Sequence, residues 1–120
     1  MKARFRLRRR AEFDRVVHGE RVFVGATVVA FARPNPEGRW RVGVTVSRRL
    51  RGAVRRNRVR RRLREAARRR LLQPEAATPP DEGGGYDVVL IGRPAAGDLP
   101  QAALEEDAAR IRRRLTRVPT

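Results

Sequence analysis

Between Trp40 and Ser47 the chain alternates, with Trp40, Val42, Val44 and Val46 on one side and Arg41, Gly43, Thr45 and Ser47 on the other. A period of two predicts a strand with one buried face and one wet face. Two shorter apolar runs precede it, Val22 to Val24 and Thr27 to Ala32, and Pro34-Asn35-Pro36-Glu37-Gly38 predicts a turn between strands. A later run, Tyr86 to Ile91, carries Val88-Val89-Leu90-Ile91 without alternation, which predicts a strand covered on both faces.

Three segments show helical spacing. In Ala11 to Val17, residues Phe13, Val16 and Val17 share a side, and Gly19 is placed to end the turn. From about Arg55 to Leu71, residues Val59, Leu63, Ala66 and Ala67 form one apolar stripe. From about Gln101 to Arg117, residues Leu104, Ala108, Ile111 and Leu115 do the same. Gln73 to Gly85, with three prolines and three consecutive glycines, reads as a flexible connection, and Gly92 to Pro100 as a loop. The order α-β-β-β-α-β-α predicts an α+β fold: a single domain over residues 1–120, a four-stranded sheet with helices packed on one side, and a basic arm at residues 1–8.

Charge changes this picture more than any other property. The 120 residues carry 30 basic and 13 acidic side chains, a net of +17, and 29 of the basic residues are arginine. Residues 1–72 hold 24 basic and 5 acidic groups, whereas residues 73–120 have a net charge of −2. Such density opposes compaction and predicts a polyanionic partner. Arginine's planar fork suits phosphate in two-point contacts. No stretch is long and apolar enough for a membrane span or an export signal, so a cytoplasmic protein without a membrane partner is expected. The absence of cysteine excludes disulfides, thiolate metal sites and a cysteine nucleophile.

Within the second helix the arginines are gathered. Asn57, Arg61, Arg64 and Arg68 recur at i, i+4, i+7 and i+11, nearly opposite the apolar stripe, and Arg58, Arg62 and Arg69 form an adjacent row interrupted by Glu65. Like charges one turn apart cost about 0.2–0.5 kcal/mol per pair, and positive charge in the first turn opposes the helix dipole. A helix that retains such a face is expected to present it to an anion, with the loop arginines Arg48, Arg49 and Arg51 converging on the same phosphate backbone.

Other motifs carry bland readings. His18 is the only histidine and reads as an exposed residue at a helix end. Glu105-Glu106-Asp107 complements the dipole of the last helix. Gly83-Gly84-Gly85 lacks the lysine and strand-to-helix setting of a phosphate loop, and Trp40 is most simply a core anchor. No set of residues suggests a protein active site.

Composition alone fits a ribosomal protein equally well; a DNA-binding helix module fits less well, because no helix-turn-helix pair precedes the basic helix. The order Val42-Gly43-Val44-Thr45-Val46-Ser47-Arg48-Arg49, then Ala53-Val54-Arg55-Arg56-Asn57-Arg58-Val59-Arg60-Arg61, then Arg64-Glu65, is more specific. It resembles the bacterial ribonuclease P protein family: a strand ending in Ser with two basic residues, a short loop, Ala-Val-x-Arg-Asn-x-x-Lys/Arg-Arg, and a later Arg. Arg9 to Gly19, including Phe13, is similar to the family's N-terminal helix.

The resemblance implies a fold like one domain of a ribosomal small-subunit protein. It also implies a left-handed β-α-β crossover, against a general rule that favours the right hand in about 98% of cases. It implies a protein subunit without catalytic residues of its own, paired 1:1 with a catalytic RNA that removes the 5′ leader of precursor tRNA using Mg²⁺ held mainly by the RNA. By match, Arg56, Asn57, Arg58, Arg60, Arg61, Arg64 and Arg68 take the RNA-facing role. Phe13, Val17, Phe31, Arg48 and Arg49 take the leader-binding cleft. Many members carry a second aromatic one turn after Phe13, where this chain has Val17; Phe31 either lines the cleft or belongs to the core.

Overall fold

The computed structural model describes residues 6–35, 38–72 and 85–116. Most of the basic arm (residues 1–5) and most of the glycine-rich connection (residues 73–84) lie outside the described residues. The elements run in the expected order: α1 Arg10–Val17, β1 Glu20–Val24, β2 Val28–Asn35, β3 Arg41–Val46, α2 Ala53–Ala67, β4 Gly85–Gly92 and α3 Gln101–Thr116. Beyond Ala67 the chain continues as a wider π turn, Arg68–Leu72, that carries Leu71 into the core. The loop after β4 contains a 3₁₀ turn, Pro94–Gly97, started by its proline.

The four strands form one sheet in the order β1-β2-β4-β3. β2 is antiparallel to both neighbours, and β3 is parallel to β4, from Arg41 opposite Asp87 to Val46 opposite Gly92. A parallel pair needs a crossover, and α2 supplies it. Arg6 bridges to Val42 in parallel register and the Leu7 N–H donates to the Val42 carbonyl at 3.0 Å, so the end of the basic arm borders the outer edge of β3.

The expected turn at Pro34-Asn35 is instead the end of β2. The register with β1 stops at Ala32, so Pro34 lies where β2 has no partner on that side and its missing N–H costs no ladder bond. Asn35 takes over the turn chemistry with its side chain: Nδ2 donates to the Arg39 carbonyl (2.8 Å) and to Asp87 Oδ1 (2.9 Å).

Alternation along the strands separates two cores. Val28, Ala30, Val42, Val46, Val88 and Leu90 pack with Val59, Leu63, Leu104, Ala108 and Ile111, so α2 and α3 cover one face. Val89 faces the other way, into a smaller cluster with Leu7 and Val16, flanked by Phe13, Val17, Phe31 and Ile91. The one-sided arrangement of helices therefore holds for α2 and α3, while α1 takes the opposite face. The continuous Val88–Ile91 run has both its faces covered for this reason. Trp40 is the expected anchor: its ring lies 5.3 Å from Tyr86 and under the buried guanidinium of Arg112, 4.7 Å from the ring centroid. Asp107, which the sequence grouped with Glu105 and Glu106 as a complement to the helix dipole, is buried and accepts hydrogen bonds from the Thr27 hydroxyl (2.6 Å) and N–H (3.2 Å).

Candidate nucleic-acid interface

The cleft begins with a glycine. A Cβ at Gly43 would lie 2.4 Å from Cζ of Phe13, so only glycine lets that ring lie against β3. Phe13 is carried there by α1, whose position is set by a chain of charges. Glu12 accepts the Arg9 N–H at 3.1 Å, as the third residue of a capped first turn, and takes Nη1 of Arg41 at 2.9 Å. Arg41 grips Asp87 on β4 with two further bonds of 2.9 Å. The backbone N–H groups of Arg9 and Arg8, and then the Arg41 charge, hold the Glu12 carboxyl below the usual carboxylate range. Val17 and Phe31 are half-buried in the same small cluster as Phe13, so Phe31 belongs to the α1 face and not to the main core.

Beside Phe13 lies a cavity of about 340 Å³, with Arg6, Arg8 and Arg64 around Phe13 and Gly43. Arg64 reaches it from α2, so the basic helix and the aromatic cleft share one boundary. Burial, followed by the charges of Arg6 and Arg60, lowers the Arg64 pKa. It remains a cation, but one whose surroundings favour an arriving anion. The sequence placed Arg64 on the helix face and missed Arg6 and Arg8; the Gly43 gap opposite Phe13 was the available signal for the cavity wall.

The remaining arginines of α2 divide by environment. Arg58 and Arg61 are exposed, as is Asn57, whose Oδ1 accepts from Arg60 at 3.1 Å. Arg68 is held by Glu65 at 2.5 Å, which raises the pKa of Arg68 and lowers that of Glu65. Arg56 turns back: its Nη1 donates to the carbonyls of Leu50 (2.8 Å) and Ser47 (3.2 Å), fixing the loop that carries Arg48 and Arg49. Those two are exposed and follow the end of β3. Arg62 is likewise occupied, donating to Gln101 Oε1 (3.1 Å), the Ala96 carbonyl (2.8 Å) and the Leu99 carbonyl.

The fold and this surface define a class: a small α+β protein with a strongly basic, arginine-lined surface. The ribonuclease P family model matches residues 1–116. The ribonuclease P protein component of Chloroflexus aurantiacus is 38% identical over 120 residues, covering 99% of this chain and 83% of that protein. That of Ruegeria pomeroyi is 40% identical over 113 residues, covering 91% and 84%. The structure of the ribonuclease P protein from Thermotoga maritima superposes with a TM-score of 0.70 at 25% identity, over 96% of this chain and 98% of that one. The Staphylococcus aureus protein shares the fold with a TM-score of 0.67 at 24% identity, over 92% and 93%.

The chain belongs to the bacterial ribonuclease P protein family. It is thereby a protein component of a tRNA-processing ribonuclease, and its partner is the ribonuclease P RNA.

Proposed function

We propose that this chain binds the catalytic RNA through the exposed side of α2 and receives the single-stranded 5′ leader of precursor tRNA in the cleft between α1 and the sheet. The observation that carries this reading is the shared boundary at Arg64, where burial and two neighbouring cations leave a guanidinium in want of an anion beside an aromatic ring. A leader running over Phe13 would place a base on the ring and a phosphate among Arg6, Arg8 and Arg64. Base stacking on an aromatic is worth about 1–3 kcal/mol. With Val17 one turn on, a second platform is lacking there, and phosphate contacts carry more of the affinity.

The chain's contribution to cleavage is then positional and electrostatic: it lowers repulsion between the two RNAs and holds the leader so that the scissile bond is placed. Among the described residues no group of three or more His, Asp or Glu side chains is arranged to hold a metal ion. The Mg²⁺ that supplies the hydrolytic chemistry would be bound by the RNA, and no step is assigned to a protein-held ion. Among the described residues, too, no helix is long and apolar enough to cross a membrane. The complex proposed is a cytoplasmic 1:1 pairing of protein and RNA.

The test is reconstitution. Added to a bacterial ribonuclease P RNA, this chain should let leader removal proceed at lower Mg²⁺ than the RNA requires alone. Unchanged cleavage at every Mg²⁺ concentration would overturn the proposal.

A further inference from the structure

At the opposite edge of the sheet a second groove repeats the construction of the first. β1 is the outer strand there, and a bulge between Arg21 and Phe23 breaks its register, so that the successive residues Val22 and Phe23 both pack toward the main core. The Phe23 ring lies over Gly25: a Cβ at that glycine would meet Cε2 at 2.5 Å and Cζ at 2.8 Å. The groove, about 490 Å³, is lined by Phe23 together with Arg110, Arg113, Arg114 and Thr116 of α3. An aromatic laid across a glycine and ringed by three arginines thus occurs twice, once at each edge of the sheet.

The charges here are under-compensated. Arg110, Arg113 and Arg114 stand at i, i+3 and i+4, on one side of α3. Glu106 serves two of them, at 3.4 Å from Nε of Arg110 and 3.3 Å from Nη2 of Arg113. Asp107 is 3.8 Å from Arg110, but its carboxylate is buried and engaged by Thr27. Arg114 donates to the Val22 carbonyl at 2.6 Å, which pins its guanidinium across the groove toward β1. Arg110 and Arg113 remain more than half exposed. A purely structural ion cluster would pair signs more evenly, and residues 73–120 contain few other cations to place.

We propose that this groove is a second RNA-backbone site, with Phe23 as a stacking face for one base and Arg110, Arg113 and Arg114 as phosphate contacts. It rests on the reading that the chain works on RNA, but it is separated from the leader cleft by the width of the sheet. A leader lying on Phe13 therefore does not fill it. The phosphodiester it takes belongs either to the ribonuclease P RNA or to the precursor tRNA.

The experiment measures the salt dependence of binding, with the full chain, to the ribonuclease P RNA alone and of precursor tRNA to the assembled complex. The double substitution Arg113→Ala, Arg114→Ala should reduce the slope of log K against log salt by roughly one to two. Loss in the first assay assigns the site to the ribonuclease P RNA, and loss only in the second assigns it to the substrate. Phe23→Leu, which keeps the apolar bulk, should weaken the same interaction roughly tenfold. Glu106→Gln, which frees two arginines without opening the core, should steepen the slope, and it serves if the double variant does not fold. Unchanged slopes in both assays for the folded variants would overturn the proposal. If Arg61→Ala, Arg64→Ala still lowers the slope in that case, the function proposed for α2 stands without it.

Discussion

Arg62 and Arg64 sit two residues apart in a helix whose seven arginines look alike in sequence, yet their surroundings demand opposite outcomes on replacement by alanine. Arg62 joins α2 to the start of α3. It donates to Gln101 Oε1, to the Ala96 carbonyl and to the Leu99 carbonyl, while Gln101 Nε2 returns a bond to the Arg62 carbonyl at 2.9 Å. Hydrogen bonds from a charged donor contribute about 1.5–3 kcal/mol each, and acceptors left partly buried without a partner add to the loss. These contributions are not additive, and water can reach part of the site. Arg62→Ala should therefore cost about 2–4 kcal/mol.

For a chain of this length that is a fall in Tm of very roughly 6–16 °C. Its RNA affinity, measured where the variant is fully folded, should keep the parental salt slope. Arg64→Ala should do the reverse. Removing a cation disfavoured by burial and by Arg6 and Arg60 should leave Tm within about 1 kcal/mol of equivalent stability, while the salt slope falls by about one. Thermal unfolding followed by circular dichroism and filter binding over a salt series separate the two. A flattened slope for Arg62→Ala with unchanged Tm, or an unstable Arg64→Ala with an unchanged slope, would refute the division of the helix drawn from these contacts.

Three further outcomes are expected. Gly43→Ala forces the Phe13 ring off β3, because the new Cβ would lie 2.4 Å from Cζ; preference for leader-bearing over mature tRNA should fall about 5- to 100-fold, with binding to the ribonuclease P RNA unchanged, and equal losses for both ligands would place Phe13 in packing alone. Glu12 has a lowered pKa in the fold, so the stability it lends is present above the unfolded carboxylate pKa and is lost as pH falls through the folded value; Glu12→Gln, which can keep the capping bond, should flatten the acid limb of a stability–pH curve, and an unaltered limb would contradict the Glu12–Arg41 link. Arg56→Ala frees the loop at Ser47 and Leu50, so faster amide exchange across residues 47–51 should accompany any loss of RNA affinity; protection equal to the parent's would return Arg56 to a direct RNA contact.

The elements were legible because periodicity reports burial. The alternation at Val42, Val44 and Val46 and the stripe at Val59, Leu63, Ala66 and Ala67 both reappear in the main core. The unalternated Val88–Ile91 run signalled two covered faces, but pattern alone could not say which helix covered the second, since Phe13, Val16 and Val17 suit either side. The fate of individual arginines was not legible at all. A helical wheel gives direction and not partners, and Arg56 and Arg62 are occupied by carbonyls from segments that only the fold brings near. Asp107 was read with Glu105 and Glu106 because its partner Thr27 lies 80 residues away. Phe23 and the α3 arginines likewise meet only through the packing of α3 against β1.

The most direct trial of the central claim is the affinity of tRNA with and without a 5′ leader, measured for the ribonuclease P RNA alone and again with this chain bound. The account predicts that the leader strengthens binding only when the protein is present, and that Phe13→Ala removes most of that gain. A leader preference of the same size without the protein would contradict it.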